Sequence, residues 1–146
     1  MNFEINTIIA LISRIQNKAN QFIVSELKRH GISGLVPVHG DILVALFFHK
    51  RVTMQELSIL VDRKKSTITT LVEKLIKLGY VQKQKDDNDN RYFIISLTDK
   101  GKSLKLPLME ISMDLINGIY QDMPIDERVQ LVKKLSKINN NLSKLI

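Results

Sequence analysis

Residues 53–75, TMQELSILVDRKKSTITTLVEKL, decide how the rest of the chain is read. Thr53 followed three residues later by Glu56 fits a capping box. The hydroxyl takes the amide three residues on, and the carboxylate takes the threonine amide. About two turns of helix follow, with Leu57, Leu60 and Val61 as their apolar residues. A polar turn of three to four residues then leads into a second helix, about 64–78. Its Ile68, Leu71, Val72 and Leu75 fall at i, i+3, i+4 and i+7, one face of a helix. Gly79 stands where a C-terminal cap belongs. Two helices joined by so short a turn are helix-turn-helix geometry.

Outward from this pair, two strands are expected at Tyr80–Lys85 and Tyr92–Leu97. The intervening DDNDN is turn chemistry, because Asp and Asn tolerate left-handed backbone and bond their own amides. A β-hairpin directly after a helix-turn-helix is a wing. Upstream, residues 4–29 read as one long helix, with Ile8, Ile12, Ile15, Ala19 and Phe22 spaced 4-3-4-3. Gly31 and Gly34 end it, and Pro37 opens a short apolar helix over 38–49. Downstream, Thr98 caps a second long helical region, in which Pro107 predicts a kink or short break. A last helix opens at Asp126 and Glu127, and Leu131, Leu135, Ile138, Leu142 and Leu145 repeat the 4-3-4-3 seam. The expected fold is mainly α (α+β), in the order ααααββαα. Both ends carry more apolar seam than a compact unit of this size covers.

The chain has 146 residues, 22 Lys+Arg against 15 Asp+Glu, a net charge of +7 and no Cys. Disulfides, thiol catalysis, thiol redox sensing and Cys-ligated metals are therefore excluded. No apolar run reaches the ~18 residues of a membrane span, and the first residues lack the basic start and cleavage site of a signal peptide. A cytoplasmic protein without a membrane partner is the expectation. No Gly-rich phosphate loop or nucleophile elbow suggests an enzyme, and no cofactor is expected. His30, His39 and His49 lack ligand spacing, so no metal is expected either.

Where the charge sits says more than its total. Arg63, Lys64, Lys65, Lys74, Lys77, Lys83 and Lys85 face one acid, Glu73, within residues 63–85. The face of the second helix opposite its apolar stripe holds Lys64, Lys65, Thr67, Thr69, Thr70 and Lys74, with Arg63 and Ser66 beside them. A helix N-terminus rich in lysine suits phosphates, and short hydroxyl side chains reach base edges in a major groove. The wing would carry Arg91, with Lys83 and Lys85, to the adjacent minor groove. The partner expected is double-stranded DNA. A winged helix used as a protein–protein adaptor stays open as the alternative, because fold alone does not fix function.

The segments T53-M-Q-E-L57, S66-T-I-T-T-L-V-E-K-L75, K77-L-G-Y-V81, D89-N-R91 and L97-T-D-K-G101 together resemble the MarR family of transcriptional regulators. The resemblance covers essentially the whole chain and is strongest from 53 to 101. It implies a homodimer, with residues 1–36 an N-terminal dimerisation helix, 37–98 the winged helix-turn-helix and 99–146 the C-terminal dimerisation helices. The seams at Ile8, Ile12, Ile15, Leu131, Leu135, Ile138, Leu142 and Leu145 then fall in the dimer interface. It further implies that Arg91 enters the minor groove and that Asp89 orients it by an ion pair. Asn90 departs from the family, where a second Arg is common. A repressor on a pseudo-palindromic operator is implied, and an activator without ligand control is the variant reading. Many members respond to small aromatic or phenolic ligands, for which Arg14, Phe22, His39 and Phe47 are the candidate lining residues here.

Overall fold

The computed structural model describes residues 3–146. The elements run α1 (Phe3–Asn6), α2 (Ile8–Arg29), α3 (Pro37–Phe48), β1 (Val52–Thr53), α4 (Met54–Leu60), α5 (Lys65–Lys77), β2 (Val81–Lys85), β3 (Phe93–Leu97), α6 (Asp99–Lys102), α7 (Lys105–Ile119) and α8 (Ile125–Ser143). The expected mainly helical order around one hairpin is present, with three short elements, α1, β1 and α6, added to it. The strands form one antiparallel sheet in the order β1-β3-β2. Thr53 pairs with Ile94, and Gln82, Lys83 and Gln84 pair with Ser96, Ile95 and Ile94. The chain divides into two compact units, one ending at Ile111 and the other Ser112–Ile146.

Two helical expectations need correction. The helix expected over 4–29 is broken at Thr7. There the Glu4 carbonyl oxygen accepts both the Thr7 amide (3.4 Å) and the Thr7 hydroxyl (2.8 Å). A hydroxyl bonding a nearby carbonyl competes with the helical ladder, and one turn ends before the next begins. The interruption expected at Pro107 lies instead at Ser103 and Leu104, between α6 and α7. Pro107 sits in the first turn of α7, where an amide would have no intrahelical acceptor, so its missing N–H costs nothing. The strands are also shorter by one residue each, since Tyr80 and Tyr92 bond outside the ladder.

The core of the first unit gathers what the periodicity placed on inner faces. Ile42, Leu43 and Leu46 of α3, Leu57 of α4, Ile68, Val72 and Leu75 of α5 and Ile95 of β3 are all buried. Each such side chain contributes about 1.5–3 kcal/mol relative to exposure. α4 starts as expected: Glu56 N–H donates to Thr53 Oγ1 (3.1 Å) and Thr53 N–H donates to Glu56 Oε2 (2.8 Å).

The wing is tied to the helices by Leu97-Thr98-Asp99-Lys100-Gly101. Thr98 N–H donates to the Tyr80 carbonyl (3.1 Å), and Thr98 Oγ1 donates to the Gly79 carbonyl (2.5 Å) while accepting Gly101 N–H (3.1 Å). A Cβ on Gly101 would collide with the Tyr80 carbonyl oxygen. Glycine is required there by close backbone approach, not by an unusual dihedral angle. Lys100 Nζ closes the C-terminal end of α5 by donating to the Leu78 carbonyl (2.8 Å). Gly79, at φ 81°, makes the turn from α5 into β2.

Candidate nucleic-acid interface

α5 divides cleanly into an inner and an outer face. Ile68, Val72 and Leu75 are buried, while Lys65, Ser66, Thr67, Thr70 and Lys74 are exposed and Thr69 is half-buried. Thr69 and Thr70 hydroxyls donate to the Lys65 and Ser66 carbonyls (2.9 and 3.2 Å). Their protons are engaged with their own helix, so outward they offer acceptor lone pairs and methyl groups. Lys64, the residue preceding the helix, makes no side-chain cap, unlike Thr53 before α4 and Thr98 before α6. First-turn amides without a capping side chain beside two lysines are chemistry suited to an anionic oxygen.

The wing supplies the other wall. Along β2, Lys83 and Lys85 share one face of the hairpin with their partners Ile95 and Phe93. Lys83 Nζ lies 4.4 Å from the centre of the Phe93 ring, a cation–π contact that holds the ammonium over the hairpin. At the tip, Asp86 Oδ1 accepts Asn88 N–H (3.1 Å), and Asp89 Oδ1 accepts Arg91 N–H (3.1 Å). The Arg91 guanidinium grips the same carboxylate twice, Nε to Oδ1 at 3.0 Å and Nη2 to Oδ2 at 2.8 Å. These bonds hold the Asp89 carboxyl below the usual carboxylate range and push the Arg91 guanidinium above its own. Both stay charged at any physiological pH. Arg91 remains 83% exposed, with donors left over for a further acceptor.

α5, the N-terminal end of α4 and the wing meet in a groove of about 220 Å³, whose lining includes Lys65, Thr69, Lys83 and Arg91. Four residues expected from sequence to share a site are thus in one place. The groove also holds Gln55 and Phe93, which the sequence reading did not single out. The signal for them was β1, whose pairing with β3 brings the start of α4 to the wing, but two residues are too short to read as a strand. Arg63, expected beside the helix N-terminus, is half-exposed and pairs with Asp41 of α3 at 3.6 Å.

The remaining candidates lie elsewhere. Ile8, Ile12 and Ile15 on α2 and Leu131, Leu135, Leu142 and Leu145 in the C-terminal segment are exposed, Ile138 is half-buried, and α8 buries none of its residues. The four residues considered for a ligand have different surroundings. His39 is buried, its Nδ1 accepting Val36 N–H (3.1 Å) at the start of α3. Burial first, and then the nearby Lys74 charge, push its pKa below the ordinary 6.5. Phe22 packs against the core, Arg14 is exposed, and Phe47 lines a cavity on the other face of the hairpin.

Comparison with known proteins places these features in context. Residues 41–108 match the family model described as Transcriptional regulator SarA/Rot. The chain is 34% identical over 99 residues to the HTH-type transcriptional regulator SarZ of Staphylococcus saprophyticus, covering 68% of this chain and 66% of that protein. It is 33% identical over 105 residues to SarZ of Staphylococcus aureus, covering 72% and 65%. The chain thus spans just under two thirds of the length of these relatives. In fold it is similar to a mutant MarR from E. coli complexed with operator DNA, with TM-score 0.80, 20% identity and coverage of 92% and 95%. A MarR transcriptional regulator from Methanosarcina mazei Go1 is similar at TM-score 0.78, 22% identity and coverage of 97% and 99%.

Proposed function

We propose that this chain, similar in sequence to the SarZ regulators and in fold to MarR, is a transcriptional regulator that binds duplex DNA with α5 in the major groove and the wing in the minor groove. The observation carrying this reading is the groove that joins Lys65 and Thr69 of α5 to Lys83 and Arg91 of the wing. A surface with cations on both walls and hydroxyl-bearing side chains between them matches a phosphate-lined groove with base edges at its floor. Arg63, Lys64, Lys74 and Lys85 extend the charge along the same elements, and Ser66, Thr67 and Thr70 extend the hydroxyl row. Asp89 acts on Arg91 rather than on DNA. That a mutant MarR from E. coli of similar fold is complexed with operator DNA supports DNA as the partner.

The active species is a homodimer formed by the terminal helices. Exposed Ile8, Ile12 and Ile15 of α2, and exposed Leu131, Leu135, Leu142 and Leu145 of the C-terminal segment with half-buried Ile138 among them, are apolar surface that a second copy would cover. The terminal segments 1–36 and 99–146 then serve assembly, and 37–98 reads DNA. Two reading heads on a two-fold axis ask for a pseudo-palindromic operator with half-sites about one helical turn apart. The protein acts in the cytoplasm as a repressor, and a small aromatic or phenolic ligand releases it by favouring a spacing of the heads that DNA does not fit.

A gel-shift titration on random duplex at low and raised salt tests the DNA reading. Binding that weakens steeply with salt supports it. A purified dimer with no shift at low salt refutes it and leaves the protein–protein adaptor.

A further inference from the structure

The hairpin has a second face. Because side chains alternate along a strand, Gln82, Gln84, Ile94 and Ser96 point away from the face that carries Lys83, Lys85 and Phe93. Behind the hairpin, the end of α3 and the junction of α6 with α7 enclose a cavity of about 510 Å³. Phe47 and Ile94 supply apolar surface, and Lys50, Arg51, Lys102 and Lys105 stand around it. Among the described residues, no acid lines this cavity. Lys102 Nζ lies 3.9 Å from Asp99 Oδ1 in an exposed pair.

These four cations need an explanation that the DNA groove does not supply, since they open on the opposite side of the same hairpin. The cavity lies within the ~300–1,000 Å³ range of small-molecule sites. Four like charges around one space repel, and a single carboxylate would offset one of them. A phosphate monoester carries about −1.5 to −2 at neutral pH, and a polyphosphate more. Arg51 offers the planar fork that phosphate oxygens accept bidentately, Gln82 and Gln84 add neutral hydrogen-bonding groups, and Phe47 gives a planar group a surface to lie on.

We infer that this cavity binds a phosphorylated organic anion of nucleotide size, its phosphates on Lys50, Arg51, Lys102 and Lys105 and its planar apolar part against Phe47 and Ile94. Such a ligand ties the wing to α3 and to the α6–α7 junction. Its regulatory meaning rests on the DNA-binding reading above, but its binding does not.

The test uses the 146-residue chain and adenosine triphosphate as probe, with inorganic triphosphate as a second arm, read by calorimetric titration. The paired variants are Lys102→Gln with Lys105→Gln behind the hairpin, and Arg91→Ala on its DNA face. All three residues are exposed, and melting curves matching the parent establish that each variant folds. The expected result is saturable binding of one adenosine triphosphate per chain, weakened ~10-fold or more by the Lys102/Lys105 pair and unchanged by Arg91→Ala. Inorganic triphosphate should bind more weakly than the nucleotide. Loss of binding in Arg91→Ala with retention in the Lys102/Lys105 variant would place the anion in the DNA groove and overturn the inference. So would equal affinity for the two probes, or no saturable binding. A gel shift on the same variants separates the two readings: the Lys102/Lys105 variant should bind duplex like the parent, and if it does not, these cations belong to the DNA surface.

Discussion

Asp89 offers a perturbation for which two physical accounts predict opposite signs. Replacing it by Ala removes a negative charge from the tip of the wing. If only net charge mattered, duplex binding would tighten for every sequence and the salt dependence would steepen. The geometry predicts otherwise for a specific site. Asp89 accepts Arg91 Nε at 3.0 Å, Nη2 at 2.8 Å and the Arg91 amide at 3.1 Å, fixing a guanidinium that is otherwise 83% exposed. Without it, Arg91 retains its charge and loses its direction. Asp89→Ala should therefore bind random duplex at least as well as the parent and bind a selected operator fragment roughly 10-fold more weakly per wing, the size of one lost groove contact. Arg91→Ala provides the companion measurement. A cation held in the minor groove offsets about one phosphate charge, worth about 0.9 in the slope of log K against log salt, so losing it from two wings per dimer lowers the slope by about 1.8. Between 50 and 200 mM salt the parent should lose about 12-fold more affinity than Arg91→Ala through this contribution. Fluorescence anisotropy with selected and random duplexes across that salt range reads both effects. If Asp89→Ala tightens binding to both duplexes equally, Asp89 positions nothing and the reasoning fails.

Other expectations concern assembly and stability. Leu135 leaves 42% of its surface uncovered in the single chain. Covering the remainder is worth about 1 kcal/mol per copy, and a buried carboxylate in its place costs more. Leu135→Glu should weaken the dimer at least ~100-fold by sedimentation; an unchanged dimer would move the interface elsewhere. Gly101→Ala should lower Tm by roughly 3–10 °C, from an overpacking cost of about 1–3 kcal/mol; a rise, as helix propensity alone would give, contradicts the contact with Tyr80. His39 is held neutral when folded, so the unfolded chain binds the extra proton first. Stability should be full above pH 6.5, fall as pH drops through the ordinary histidine value and level off once the folded ring itself protonates. His39→Gln keeps an acceptor for the Val36 amide and should show a smaller Tm loss between pH 7.5 and 5.5; an identical loss would assign the pH dependence to other groups.

What could be read from sequence is what acts over a few residues. The Thr53–Glu56 cap, the inner stripe Ile68, Val72 and Leu75 and the Asp/Asn turn at the wing tip involve near neighbours, so residue type and spacing reveal them. The Leu97–Gly101 motif was visible, but its need for glycine comes from the Tyr80 carbonyl, 21 residues away in sequence, which no local pattern encodes. Gln55 entered the groove through β1, a strand too short to leave a periodic signal. Arg63, in the turn before α5, meets Asp41 of α3, and Lys50, just past α3, shares a cavity with Lys105 of α7 behind the hairpin; both pairs are distant in sequence. Pro107 reads as a helix breaker, yet its effect depends on position: in the first turn of α7 its missing N–H has no intrahelical acceptor to lose.

The account stands or falls on whether the groove between α5 and the wing takes a DNA duplex. The direct measurement is the affinity of the purified dimer for random-sequence duplex between 50 and 200 mM salt. With roughly 6–10 phosphate contacts per dimer, log K should fall linearly with log salt at a slope of about −5 to −9. Lys64→Ala should make the slope shallower by about 1.8 per dimer, one contact from each head. Absence of binding at 50 mM, or binding indifferent to salt and to both Lys64→Ala and Arg91→Ala, would contradict the central claim.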